Sequence, residues 1–122
     1  MTISSSQIGE FDMGLIDILE EGESSIGMDE LSLRAGKCSD LATKALLASI
    51  DLNLLPEEWR KFILVTNPAV DVLTSEGGRM IIHCLVWDRQ DDKWHPIGYC
   101  PIGFNTRFRL VRMRRKQNVD SG

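Results

Sequence analysis

The sequence predicts an α+β fold in one domain, with three N-terminal helices packed on a small antiparallel β-sheet made by the C-terminal half. Three observations carry this prediction. Met80–Trp87 is apolar on both faces, with His83 its single polar intruder, and Trp94–Tyr99 follows as a second strand; short runs without polar alternation read as strands covered on both sides. Before Pro56, apolar residues recur at helical spacing. The charge also divides. Residues 1–58 hold twelve acids against Arg34, Lys37 and Lys44, a net of −9, while residues 59–122 hold six acids against eleven bases, a net of +5; together they give the chain's −4. The domain 1–122 thus divides into an acidic helical half, 1–58, and a basic β-rich half, 59–122.

A chain of 122 residues with 43 % apolar and 26 % charged content has the composition of a globular domain with its own core. No apolar run approaches the ~20 residues needed to cross a bilayer, so no membrane partner is expected. Met1–Ser6 lacks a basic start and an apolar core, which argues against a secretory signal. Cys38, Cys84 and Cys100 are odd in number and widely spaced, as expected of reduced thiols in the cytoplasm or nucleus.

Taken in order, Ile8, Phe11, Leu15, Ile18 and Leu19 predict a first helix from Gln7, stopped at Gly22. Met28–Ala35 reads as a second, short helix, with Asp29 and Glu30 favouring its first turn and Gly36 ending it. Ser39 or Asp40 caps a third helix that runs to about Leu55 and is apolar nearly all round, as a buried helix would be. Glu57–Lys61 reads as a helical turn, and β-branched Ile63, Val65 and Thr66 favour a strand. Asn67-Pro68 reads as the start of a helix over Ala69–Glu76. The hairpin around Asp88–Lys93 follows, and Gly98, Pro101 and Gly103 mark a bend. Asn105–Met113 is the last strand. A bulge at Leu110-Val111 would set Arg107, Arg109, Arg112 and Arg114 on one face.

Met28-Asp-Glu-Leu31, Gly36 in the turn, and Leu46-Leu47 with Leu52, Leu54 and Leu55 form an order of helix, turn and longer helix. This order resembles a helix-turn-helix of the winged-helix kind over roughly the first half of the chain. The resemblance implies that the third helix enters the major groove of DNA. That helix offers Lys44, Thr43 and Ser49 but also Asp40 and Asp51, and a half of net −9 opposes a phosphate backbone.

No catalytic motif appears. GxSxG, HExxH and phosphate-cradling glycine loops are absent from the sequence, and Cys100 with His95 is a generic pairing. His83, Cys84, His95 and Cys100 cluster without zinc-knuckle spacing, and His83 and Cys84 would point to opposite faces of a strand. No metal and no cofactor is therefore expected.

The binding candidates are charged. Arg107, Arg109, Arg112, Arg114, Arg115 and Lys116 form a basic strand interleaved with Phe108, Leu110 and Met113. Glu20, Glu21 and Glu23 form an acidic patch at the end of the first predicted helix. Such a strand can grip carboxylates or a nucleic-acid backbone; alternatively its charges keep an edge strand from aggregating, or the two halves attract each other. The expectation is a small non-enzymatic regulatory module whose partner is another protein or a second copy in a dimer. A nucleic-acid-binding regulator is the alternative, and a small enzyme with an unrecognised site comes third.

Overall fold

The computed structural model describes residues 4–74, 77–99 and 102–116. The chain runs through strands β1 (Ser4–Ile8) and β2 (Phe11–Asp17) and helices α1 (Met28–Gly36) and α2 (Lys44–Leu47). Two 3₁₀ turns follow, Leu52–Leu54 and Glu57–Lys61, and then β3 (Ile63–Val65), β4 (Val72–Thr74), β5 (Met80–Asp88), β6 (Lys93–Tyr99) and β7 (Phe108–Arg115). The seven strands form one mixed sheet in the order β1-β2-β7-β3-β5-β4, with β6 also on β5, and only the β3–β7 pairing is parallel. The expected three helices on a small antiparallel sheet, and with them the helix-turn-helix and winged-helix resemblance, are overturned: the sheet dominates, and among the described residues only two α-helices form.

The helix expected from Gln7 is the β1–β2 hairpin. Ile8 pairs with Phe11 across a two-residue turn in which Gly9 takes φ +59° and Glu10 does not take a positive φ, the pattern of a type II′ turn with glycine in its first place. Phe11, Met13 and Leu15 are buried on one face of β2 and Ile16 on the other. Burial on both faces hides the alternation that marks a strand and leaves residues at spacings of three and four that imitate a helix.

The helix expected over residues 39–55 breaks into pieces because its polar residues hydrogen-bond locally. Leu41 bridges to Arg112 beside β7, after Asp40 turns the chain with φ +60°: Met113 N–H donates to the Asp40 carbonyl and Ala42 N–H to the Val111 carbonyl, both at 2.7 Å. Thr43 then caps the four-residue α2 by accepting from Leu46 N–H, and Asp51 caps the next turn by accepting from Asn53 N–H. The second helix forms as predicted and buries Leu31 and Ala35. The sheet is therefore covered on both faces. Leu47, Leu55 and Trp59 pack on Met13, Leu64, Leu85 and Val111 on one side. On the other, Leu31 and Ala35 pack with Ile16, Val65, Ile82 and Leu110.

The strand over Ile63–Val65 and the Met80–Trp87 hairpin form as expected, with the connection tightened to Arg89–Asp92 because Asp88 pairs with Lys93. In place of a helix after Asn67-Pro68 there is a turn and β4; Glu76 and the Cys100-Pro101 part of the predicted bend lie outside the described residues. Among the described residues no helix is long and apolar enough to cross a membrane.

Candidate functional site

The turn after β3 creates a groove. Asn67 Oδ1 accepts from Ala69 N–H at 3.0 Å, and the Asn67 carbonyl accepts from both Val70 and Asp71 N–H. An asparagine bonded to backbone two residues ahead favours a turn over helix propagation. Residues 67–71 thus leave the sheet, and the chain rejoins it as β4. His83 spans the gap: its N–H donates to the Asp71 carbonyl at 3.2 Å and its carbonyl accepts from Thr66 N–H at 3.3 Å. Since one residue's amide and carbonyl point to the same side of a strand, β4 continues β3 along one edge of β5, while β6 occupies the other.

Between this end of the sheet and the start of α2 lies a groove of about 360 Å³, lined by Lys44, Val70, Asp71, Leu73, Ile81, His83, Pro96, Ile97 and Gly98 among others. Val70, Leu73 and Ile97 are exposed by 60 %, 70 % and 38 %, so the lining is a solvent-facing apolar rim. Asp71 Oδ2 accepts from Lys44 N–H at 2.7 Å and fixes the mouth. His83 Nδ1 lies 3.1 Å from Thr66 Oγ1, leaving Nε2 without a hydrogen-bond partner among the described residues. Burial lowers the pKa of His83 and Lys44 lowers it further, against an opposing pull from Asp71, so the imidazole is neutral near pH 7. The groove can take an apolar side chain, a hydrogen bond at a neutral ring and an anionic group at Lys44. Thr66, only 1 % exposed, is not placed to act as a nucleophile.

The predicted basic strand is divided. Pairing of β2 with β7 is continuous from Phe11 opposite Arg115 to Asp17 opposite Arg109. No bulge interrupts it, so the expected single face of arginines does not form. Arg109 and Arg115 share a side with Val111 and Met113, whereas Arg112 and Arg114 lie on the other. Arg109 Nε stands 2.6 Å from Asp17 Oδ1, Arg114 Nε 2.9 Å from Asp40 Oδ2, and an Arg115 Nη nitrogen 3.1 Å from Glu10 Oε2. Arg107 and Lys116 are exposed, and Arg112 is half-buried with its Nε unbonded. Acids from the first half thus take three of the five arginines, which is the internal attraction that the charge split allowed.

The acidic patch also turns inward in part. Glu23 holds Arg34 through contacts of 2.5 and 2.8 Å, and Arg34 donates further to the Ile18 carbonyl and to Glu30. These bonds, with one from Glu20 N–H, hold the Glu23 carboxyl down at about 2. Glu20 and Glu21 line a hollow of about 510 Å³ together with Asp17, Glu23, Thr106 and Arg109, so both predicted charged sets border one depression.

His83 and Cys84 do point to opposite faces, with Cys84 fully buried and its thiol pushed up to about 12 by desolvation. Cys100 lies outside the described residues. His95 instead meets Asp91, Nε2 to Oδ2 at 2.5 Å, with Asp88 Oδ2 at 3.9 Å. Sequence reasoning named His83 and His95 but missed what surrounds them. The groove was hidden because Asn67-Pro68 reads equally well as a helix start. The Asp88, Asp91 and His95 cluster had a legible signal, two aspartates and a histidine around one hairpin loop. No family model matches the chain, and neither does any curated protein or solved structure.

Proposed function

We propose that the chain is a non-enzymatic intracellular module that binds a protein partner, and that the groove between α2 and the β4–β5–β6 end of the sheet receives an apolar segment of that partner. The observation that carries this reading is the exposure of Val70, Leu73 and Ile97 around one concave site beside a neutral His83 and the free charge of Lys44. Sites of this kind combine an apolar lining with a few polar groups that fix orientation. Engagement of Arg109, Arg114 and Arg115 with Asp17, Asp40 and Glu10 favours a protein partner over nucleic acid, because paired guanidinium groups are poorly available to phosphates.

A random peptide library selected on the immobilised chain tests the reading. Enriched peptides should be apolar, should carry an acid near one end to meet Lys44, and should lose at least about tenfold in affinity against Leu73→Asp or Val70→Asp. Leu33→Asp, at a leucine 63 % exposed on α1 across the sheet, should leave binding unchanged. Equal sensitivity to all three variants, or tight retention of a random-sequence oligonucleotide at physiological salt, would overturn it.

A further inference from the structure

The tip of the β5–β6 hairpin brings together three groups that the groove does not use. We infer that Asp88, Asp91 and His95 form a binding site for one zinc-class divalent cation. Their ligand atoms, one imidazole nitrogen and two carboxylate oxygens, all lie within 4.8 Å of one another.

Strand register makes the arrangement. Asp88 pairs with Lys93 and Val86 with His95, so Asp88 and His95 are diagonal neighbours on one face of the hairpin. The Arg89–Asp92 connection then brings Asp91 back over the pair. Asp88 accepts from Gln90 N–H through Oδ1 at 2.8 Å, while its other oxygen, Oδ2, faces His95 Nε2. One carboxylate oxygen shapes the turn and the other is left for a cation.

The separations suit the ion. Ligands about 2.0 Å from a tetrahedral zinc stand roughly 3.3 Å apart. The distances from His95 Nε2, 2.5 Å to Asp91 and 3.9 Å to Asp88, bracket that value, so small side-chain rotations suffice. The donor set selects the class of metal. One imidazole and two carboxylates suit zinc and its neighbours, whereas calcium requires six to eight oxygens and magnesium retains most of its water. Two carboxylates also neutralise the dication, and three protein ligands leave the fourth position to water.

Trp87 and Trp94 provide a reporter, since they sit one residue from Asp88 and His95 with ring centroids 5.7 Å apart. Calorimetric titration of the native chain with ZnCl₂ should give one site, and Co²⁺ should show the visible absorption of a tetrahedral complex while changing tryptophan emission. Asp91→Asn and His95→Gln should each weaken zinc binding by at least about tenfold, no less than the loss of an outer-shell partner. Asp92→Asn, in the same loop but outside the trio, should leave it unchanged. Circular dichroism of each variant checks that the hairpin still folds. Absence of saturable zinc binding, equal loss in Asp92→Asn, retention in folded His95→Gln, or equal affinity for Ca²⁺ would each overturn the assignment.

Discussion

Arg109 lies directly opposite Asp17 in the β2–β7 ladder, its Nε 2.6 Å from Oδ1, and its guanidinium rests 4.2 Å from the centre of the Phe62 ring. One side chain thereby joins the last strand to the first hairpin and to the turn before β3. Two further donations, to the Thr106 and Phe108 carbonyls, hold its plane.

Stability should register this junction. Arg109→Ala should cost about 1–2 kcal/mol, from the ion pair and the ring contact together. Asp17 is about a third exposed, which keeps the pairwise share small. A double-mutant cycle with Asp17→Asn should return a coupling of about 1 kcal/mol. A coupling indistinguishable from zero would mean that the pair only adorns the ladder.

Trp59, not the hairpin's Trp87, holds the deeper place, being 1 % exposed beneath Leu47, Leu55 and Leu64 while Trp87 is half-buried. Denaturant unfolding of Trp59→Ala should show a loss of about 3–5 kcal/mol, the range for a large aromatic removed from a core. Trp87→Ala should lose less, roughly 1–3 kcal/mol, because only part of its area returns to water. The reverse order would misplace the centre of this core.

Local signals explain what the sequence made legible. Met28–Gly36 carries its own acids at the start and Arg34 in its last turn, and Met80–Trp87 announces a covered strand by lacking polar alternation. β2 was illegible because Phe11 and Met13 serve one face and Ile16 the other, and only pairing with β1 and β7 decides its conformation. Leu41 to Leu55 misled for a related reason: Leu41 and Ala42 are apolar because they line a sheet, Leu47 because it covers one. At the site, His83 stood out as a polar residue in an apolar strand. The groove beside it depends on β4, whose place is set by pairing with β5 six to ten residues on and by the turn at Asn67, neither of which shows in the hydropathy pattern of Val72–Thr74.

Acid should loosen the Glu23–Arg34 clasp. The Glu23 carboxyl falls from its ordinary 4.5 to about 2, chiefly through Arg34. A carboxyl depressed in the folded state contributes stability that is full above its unfolded value and is lost as pH falls toward the folded one. Glu23→Gln should therefore melt below the parent at pH 7, with the gap closing as pH falls from 4.5 toward 2. A gap that stays constant across that window would remove the linkage.

Gly98 connects stability with the groove. It lies opposite His83 in the β5–β6 ladder, and a Cβ placed on it would come within 2.8 Å of the Ile81 Cγ2 methyl. That methyl sits on a β-branched carbon with few rotamers, so it cannot swing aside freely. Ile81 must then shift, and Ile81 lines the groove. Gly98→Ala should cost about 1–3 kcal/mol as overpacking, and it should also weaken any peptide selected on the groove. Removing the methyl first separates the two effects. In an Ile81→Ala background the same glycine substitution should become nearly neutral, since the clashing atoms are gone and β6 otherwise tolerates a side chain there. An equal cost in both backgrounds would place its origin in the backbone of β6, leaving the groove's shape independent of Gly98.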